Sequence, residues 1–445
     1  MPSHKPAQLF PERYQKIVLF FILLVTSLIF IPSLQHDFVN WDDTDYVLNN
    51  PSIRNLDIRS LKDMFTSFIV GNYQPLTILS FAVEYHFFQL APQIYHLTNV
   101  ILHLLNVFLV YIFLSRLTGQ REAALLAAML FGIHPLRAES VAWITERKDV
   151  LFTFFYLLSL QAYLSYVRNI NADRKFLFLP AIFFTLALLS KPAAVTLPFI
   201  LLLLDYYESR PLNRGVFVEK LPFFFLSAVF VILAFYGNAT PFNPHFLNPE
   251  AYSFVQRIFL SAFALVRYFE KFLLPVTLSA FYPYPSLKGA SGFLVYLSPL
   301  FLVTLVYALL KLRTLQKETV FGLLFFVMTI AVNLPVLPVG HTIIADRFTY
   351  LPSVGLSFLS ACWCFSLYQN TTSGRSTAFG IAAILLMSLT VLTWQRVGVW
   401  KNSVTLWSDV IAKYPKTAIA YYNRADFHVQ NRQVDLALQD YGKAI

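Results

Sequence analysis

The feature that most limits what this chain can fold into is a succession of apolar runs, each near the roughly 20 residues that cross a bilayer or somewhat short of it. They lie near 17–34, 95–115, 122–134, 149–167, 176–190, 193–207 and 221–236, then near 293–310, 319–336, 350–368 and 377–394. The expected fold is therefore all-α: a polytopic membrane helix bundle of about eleven spans. Composition agrees, with 57% hydrophobic and only 13% charged residues, against about 25% charged in soluble chains. Lys5, Arg13 and Lys16 precede the first run, which is too long for the core of a cleaved signal and reads as a retained span.

The net charge of +10 is spread over short loops, so it reads as a topology signal. No basic patch with interleaved aromatics points to nucleic acid. With a cytoplasmic N-terminus, the inner loops collect Arg116 with Arg121, then Arg168, Arg174 and Lys175, then Arg210, Arg214 and Lys220, then Lys311, Arg313 and Lys317, and finally Arg375. Residues 252–275 are long enough to cross, but Arg257, Arg267, Glu270 and Lys271 interrupt them. They are expected at the outer interface or as a re-entrant hairpin. Cys362 and Cys364, two apart in an apolar run, make neither a disulfide framework nor a metal site.

That topology gathers the unusual polar stretches on one side. QHDFVNWDDTDY sets Asp37, Asp42, Asp43 and Asp45 just past the first span, either as a solvated loop or as a source of catalytic carboxylates. HPLRAESVAWITERKDVL puts Glu139 and Glu146 seven apart, on one face if the stretch is a helix, with Arg147 and Lys148 beside them. An interfacial helix with snorkelling charges is the plain alternative. His96, Asn99, His103 and Asn106 form one polar stripe on the second span, read as interhelical hydrogen bonding. Lys191 before Pro192 sits at a helix break, free to meet a phosphate or to snorkel. VGHTIIADRFTYLPSVG brings His341, Asp346, Arg347 and Tyr350 to the last outer loop, and the planar fork of arginine suits a phosphate.

The chain changes character after Trp400. AIAYYNRADFHVQNRQVDLALQDYGKAI has Tyr421, Ala425, Ala437, Tyr441 and Ala444 at the packing positions of a tetratricopeptide repeat (TPR). Residues 1–395 read as a membrane domain and 396–445 as a short, incomplete TPR region on the non-cytoplasmic side. About one and a half repeats cannot bury their own apolar faces, so they need the membrane domain or a partner protein to pack on.

Taken in order, FVNWDD, YQPLT, HLTNVILHLLN, HPLRAESVAWITERKDVL, KPAAVTLPFILLLLDYY and ADRFTYLPSVG, followed by the repeat, resemble the GT-C class of membrane glycosyltransferases. Within it they are similar to the TPR-bearing branch, as bacterial relatives of the transmembrane and TPR-containing protein O-mannosyltransferases. The resemblance implies an essential acid on the first outer loop, here Asp42 or Asp43, and a second outer-loop acid, matched by Glu139 with Asp149 behind it. It implies a sugar donor on a polyprenyl phosphate and single-displacement transfer with inversion to a protein or glycan hydroxyl. A carboxylate taking the proton of a weak hydroxyl nucleophile suits that chemistry. Cations opposite the leaving phosphate suit it too, and Arg347, Arg147, Lys148, Lys191 and His341 are the expected donor-phosphate and lipid-binding set. Asp43 and Glu139 permit Mg²⁺ or Mn²⁺ without requiring it. The resemblance places the site and the C-terminus in the periplasm of a bacterial inner membrane, with an ER membrane and luminal site as the alternative. Two other readings are a transporter or flippase of lipid-linked sugars and a membrane scaffold that holds a partner through the TPR tail.

Overall fold

The computed structural model describes residues 11–169, 173–211, 213–238, 252–311, 316–336, 342–370 and 375–445. Among them every extended regular element is a helix, and no strand forms beyond one isolated bridge between Ile69 and Asn72. The protein is a multi-pass helical membrane protein. Six helices are long and apolar enough to cross a membrane, within 12–35, 92–118, 144–168, 214–237, 289–311 and 380–399. A seventh crossing results if the helix Arg121–Ile133 is joined to Pro135–Ala142 across a 56° bend.

Several of the expected eleven runs form helices too short to cross alone, among them Arg121–Ile133, Phe178–Ser190, Leu197–Tyr207 and Gln316–Ile330. Two of these helices end at X-Pro steps, because a residue before proline is pushed out of the helical region. His134 before Pro135 adopts φ −73°, ψ 136°, and Lys191 before Pro192 adopts φ −156°, ψ 129°. Apolar stretches on either side of such breaks, among them Pro192–Tyr207, are shorter than a bilayer. Residues 252–275, expected at the outer interface or as a re-entrant hairpin, hold one continuous helix and no hairpin. The helix Phe254–Leu273 opens on a Ser253 and Gln256 capping box and buries Leu260, Ser261, Ala264, Tyr268 and Lys271 along one face. Phe254, Val255, Ile258 and Leu273 stay exposed.

The polar stripe of Pro92–Thr118 ties this framework together. Asn99 donates to the carbonyl of Trp143 at 3.0 Å, and Asn106 donates to that of Val150 at 2.8 Å. His103 lies 2.7 Å from the Tyr350 hydroxyl and 3.0 Å from the Gly132 carbonyl. Asn99, His103 and Asn106 therefore serve interhelical hydrogen bonding, while both ring nitrogens of the buried His96 stay without a hydrogen-bond partner among the described residues.

The two ends of the bundle differ in charge. One end holds Arg116, Arg121, Arg168 and Arg210; there Arg168 pairs with Glu208 at 2.7 Å, and the buried Lys220 pairs with Asp205 at 2.5 Å. The other end carries the loops with the acids, and the C-terminal helices pack on it. Those helices are Ser403–Lys413, Ala418–Gln430 and Val434–Ala444. Ala425 and Ala437 are buried between them, and Arg424 holds Asp440 through two bonds of 2.7 and 2.8 Å.

Close backbone approach occurs where Gln316–Ile330 meets Ser353–Asn370. A Cβ at Gly322 would stand 2.8 Å from the Gly355 carbonyl oxygen, and one at Gly355 would collide with the Gly322 carbonyl. Small residues permit such contacts between membrane helices. Gly355→Ala is expected to lower the thermal midpoint in detergent through a loss of about 1–3 kcal/mol, outweighing the gain of about 1 kcal/mol in helix propensity. An unchanged or higher midpoint would contradict this packing.

Candidate functional site

The acids and cations singled out from sequence converge at the end of the bundle where the span within 144–168 begins. The loop after the first helix turns at Val39–Asp43, and Asp43 is what fixes the turn. Its Oδ2 accepts from the Val39 amide at 2.9 Å, while Oδ1 accepts from the Thr145 amide at 3.0 Å and from the Thr145 hydroxyl. Burial pushes the Asp43 carboxyl up to about 6, even with those three donors favouring its charge. Its neighbour Asp42 turns the other way, 23% exposed, with Oδ2 held 3.1 Å from Lys148 Nζ.

The second outer loop is not one helix. A 3₁₀ turn at Pro135–Arg137 leads into Ala138–Ala142; Trp143 is extended, and a second turn at Ile144–Glu146 precedes Arg147–Arg168. Glu139 and Glu146 nevertheless face the same cation. Glu139 Oε1 is 2.5 Å from Arg347 Nη1, its Oε2 accepts from the Arg347 amide at 3.2 Å, and Glu146 lies 3.4 Å from Arg347 Nε. Arg137, fully buried, donates to the Thr349 and Tyr350 carbonyls at 3.1 and 2.8 Å, and so locks the turn that presents Arg347. Burial works against the charge of Arg347, but Glu139 and Glu146 hold its guanidinium above the ordinary value.

Glu146 is the centre of the arrangement. Besides Arg347 it meets Lys148 at 3.2 Å and Lys191 at 3.7 Å, and Lys191 also pairs with Asp149. Lys191 reaches this point because its extended backbone before Pro192 interrupts the helix there. The network has a depth order. Glu139 and Glu146 side chains have no exposure and Asp149 has 2%, whereas Lys148, Lys191 and Arg347 keep 9%, 13% and 14%. Three buried carboxylates thus lie beneath three cations of slight exposure, and Asp42 is the more exposed acid beside them.

Two expected members are placed otherwise. Arg147 is fully buried and turned away from the network, pairing with Glu84 at 2.9 Å, donating to Asn99 Oδ1 and to the Tyr95 carbonyl, and lying over the Phe81 ring. Successive helical residues point about 100° apart, so Lys148 enters the network and Arg147 leaves it. His341 lies outside the described residues. Glu146 was not among the expected catalytic or donor-binding residues; its signal was the charge run TERKD. Asp43 and Glu139 as placed do not suit a divalent cation: both oxygens of Asp43 are taken by N–H and O–H groups and both of Glu139 by Arg347. Among the described residues no group of three His, Cys, Asp or Glu side chains gathers in a metal-holding arrangement.

Comparison with known proteins finds similarity over most of the chain. Residues 91–237 match the family model described as dolichyl-phosphate-mannose-protein mannosyltransferase. Protein O-mannosyl-transferase F38B6.6 of Caenorhabditis elegans is 27% identical over 95% of this chain and 62% of its own length. Human protein O-mannosyl-transferase TMTC1 is 25% identical over 93% of this chain and 53% of its own. The chain thus spans about half to six-tenths of the length of these curated relatives. ArnT from Cupriavidus metallidurans, solved bound to undecaprenyl phosphate, aligns with 96% of this chain and 75% of its own at 12% identity and a TM-score of 0.48. The sequence likenesses agree with the resemblance carried by the six motifs: over most of its length the chain is similar to protein O-mannosyl-transferases.

The placement of Arg147 separates two roles. Arg147→Met leaves Glu84 buried without its cation and is expected to cost about 3–5 kcal/mol of stability, read as a large fall in thermal midpoint. Normal stability in the Arg147→Met variant would contradict this structural role.

Proposed function

We propose that the chain is an inverting glycosyltransferase that moves a sugar from a polyprenyl-phosphate donor to a hydroxyl on the non-cytoplasmic face of the membrane. The observation that carries this reading is the depth order of the network. Buried acids hold three cations that keep a slight exposure, and one partly exposed carboxylate stands beside them. The family model's description and the relatives' names point to mannose on a dolichyl-type phosphate and to a protein acceptor. The basic end of the bundle supports a non-cytoplasmic position for the loops that bear Asp42 and Glu139: periplasmic if the setting is a bacterial inner membrane, or luminal in an ER membrane as the alternative.

In this mechanism the acceptor hydroxyl oxygen attacks the anomeric carbon as the bond from that carbon to the phosphate oxygen breaks. The bonding pair leaves with the polyprenyl phosphate, and the hydroxyl proton passes to Asp42. Lys148, Lys191 and Arg347 offer the departing phosphate N–H donors whose charge is already balanced from beneath. Asp43 is unsuited to the proton transfer, because both its oxygens are committed to holding the loop. The lipid tail stays in the bilayer while its head group reaches the rim.

The test is transfer from labelled polyprenyl-phosphate sugars by the purified protein. Asp42→Asn should cut the rate by about 10²–10⁴-fold while the thermal midpoint stays put. Asp43→Asn, which turns an amide NH₂ toward buried N–H donors, should instead lose about 1–3 kcal/mol of stability. Full activity in Asp42→Asn would remove the base. Because Asp43 and Glu139 as placed suit no divalent ion, transfer should persist after EDTA treatment and dialysis; loss restored by Mg²⁺ or Mn²⁺ would overturn that part of the mechanism.

A further inference from the structure

Asn40 stands two residues before Asp42, and its polar atoms are spent on the C-terminal helices. Its backbone amide donates to Ser403 Oγ at 2.9 Å, and its side-chain Nδ2 donates to the Asn423 carbonyl at 2.5 Å. Its Oδ1 accepts from the indole N–H of Trp407 at 2.9 Å. Nearby, the Asp37 amide donates to the Lys401 carbonyl at 3.0 Å. A carboxamide engaged at both ends cannot rotate without breaking both bonds. Its partners come from two different helices, Ser403–Lys413 and Ala418–Gln430, so the loop is registered against the pair and not against one of them.

Aromatic packing continues the same connection. The Trp41 ring lies between Trp143, stacked at 4.8 Å and 24°, and Trp407 at 5.0 Å; Trp143 in turn stacks on Trp400 at 5.1 Å. The Arg347 guanidinium sits 5.6 Å from the Trp41 ring centre and 5.5 Å from that of Trp143. Trp407 has no exposure, so its N–H has no water to replace Asn40. The segment that presents Asp42 is thus held from below by the C-terminal helices and from the side by the rings that border Arg347.

We propose that Asn40 is a positioning residue for Asp42, clamped by Trp407 and Asn423, so that the C-terminal helices are part of the transfer machinery. This rests on the reading of Asp42 as the proton acceptor. Asn40 touches neither Asp42 nor any member of the charge network; it fixes the backbone from which Asp42 projects. Its loss therefore changes where the carboxylate stands without changing the cations that hold the donor.

The experiment compares kcat and donor KM for transfer from a polyprenyl-phosphate sugar by the full chain, its Asn40→Ala and Trp407→Phe variants, and the double variant. Trp407→Phe keeps an aromatic ring in the stack and deletes the N–H together with the rest of the five-membered ring. Each single change is expected to lower kcat by about 10–100-fold, the cost of a misplaced catalytic group, with donor KM little changed. The double variant should be no slower than Asn40→Ala alone, because both changes cut the same bond. The limb of the kcat pH profile that reports the proton acceptor should move in both variants. Where Asn40→Ala does not yield folded protein, Trp407→Phe and Ser403→Ala, each removing one hydrogen bond, carry the same expectations. Unaltered kcat in the folded variants, or independent additive losses, would overturn the positioning role. Absence of transfer by the unaltered protein with every polyprenyl-phosphate sugar would instead overturn the functional reading beneath it.

Discussion

One buried carboxylate organises this end of the molecule. Glu146 has no solvent exposure, and it is shared by Lys148, Lys191 and Arg347 at 3.2, 3.7 and 3.4 Å. A carboxylate so placed is stable only while its cations stay, since removing one partner of a buried pair leaves an uncompensated charge. The three cations come from the start of the span within 144–168, from a proline break and from the last outer loop. A single charge thereby forces three stretches far apart in the chain to meet. Glu139 and Asp149 complete the balance, and Asp42 is left at the rim with a solvent-facing edge.

Much of this was legible in the residues. The apolar runs dictate a helical membrane bundle, and the distribution of lysine and arginine puts the acidic loops together at one end. Asp42, Glu139, Lys148, Lys191 and Arg347, all singled out from sequence, do meet in one network. What was not legible depends on local backbone. The expectation of Glu139 and Glu146 on one helical face assumed a continuous helix, whereas extended residues at His134 and Trp143 break it. The pair converges because Arg347 reaches both. Arg147 and Lys148 are chemically alike and adjacent, and only the start of the helix decides which faces Glu146 and which faces Glu84.

Asp43 and the C-terminal helices carry the same lesson. From sequence Asp42 and Asp43 are equivalent candidates; the turn commits one to hydrogen bonds with Val39 and Thr145 and frees the other. The tail was expected to need a surface to pack on, and it finds one on the loop that bears Asp42, through contacts more than 360 residues apart in the chain. No periodicity or motif spacing reports such a contact. The X-Pro steps at His134 and Lys191 likewise end helices without altering local composition.

The central claim is that the cations above Glu146 receive the phosphate of a lipid-linked sugar. The most direct measurement is an experimental structure of the protein with a polyprenyl phosphate bound. The account predicts the phosphate against Lys148, Lys191 and Arg347, with the Asp42 carboxylate open on its other side. A phosphate bound at the opposite end of the bundle, among Arg210 and Lys220, would contradict it.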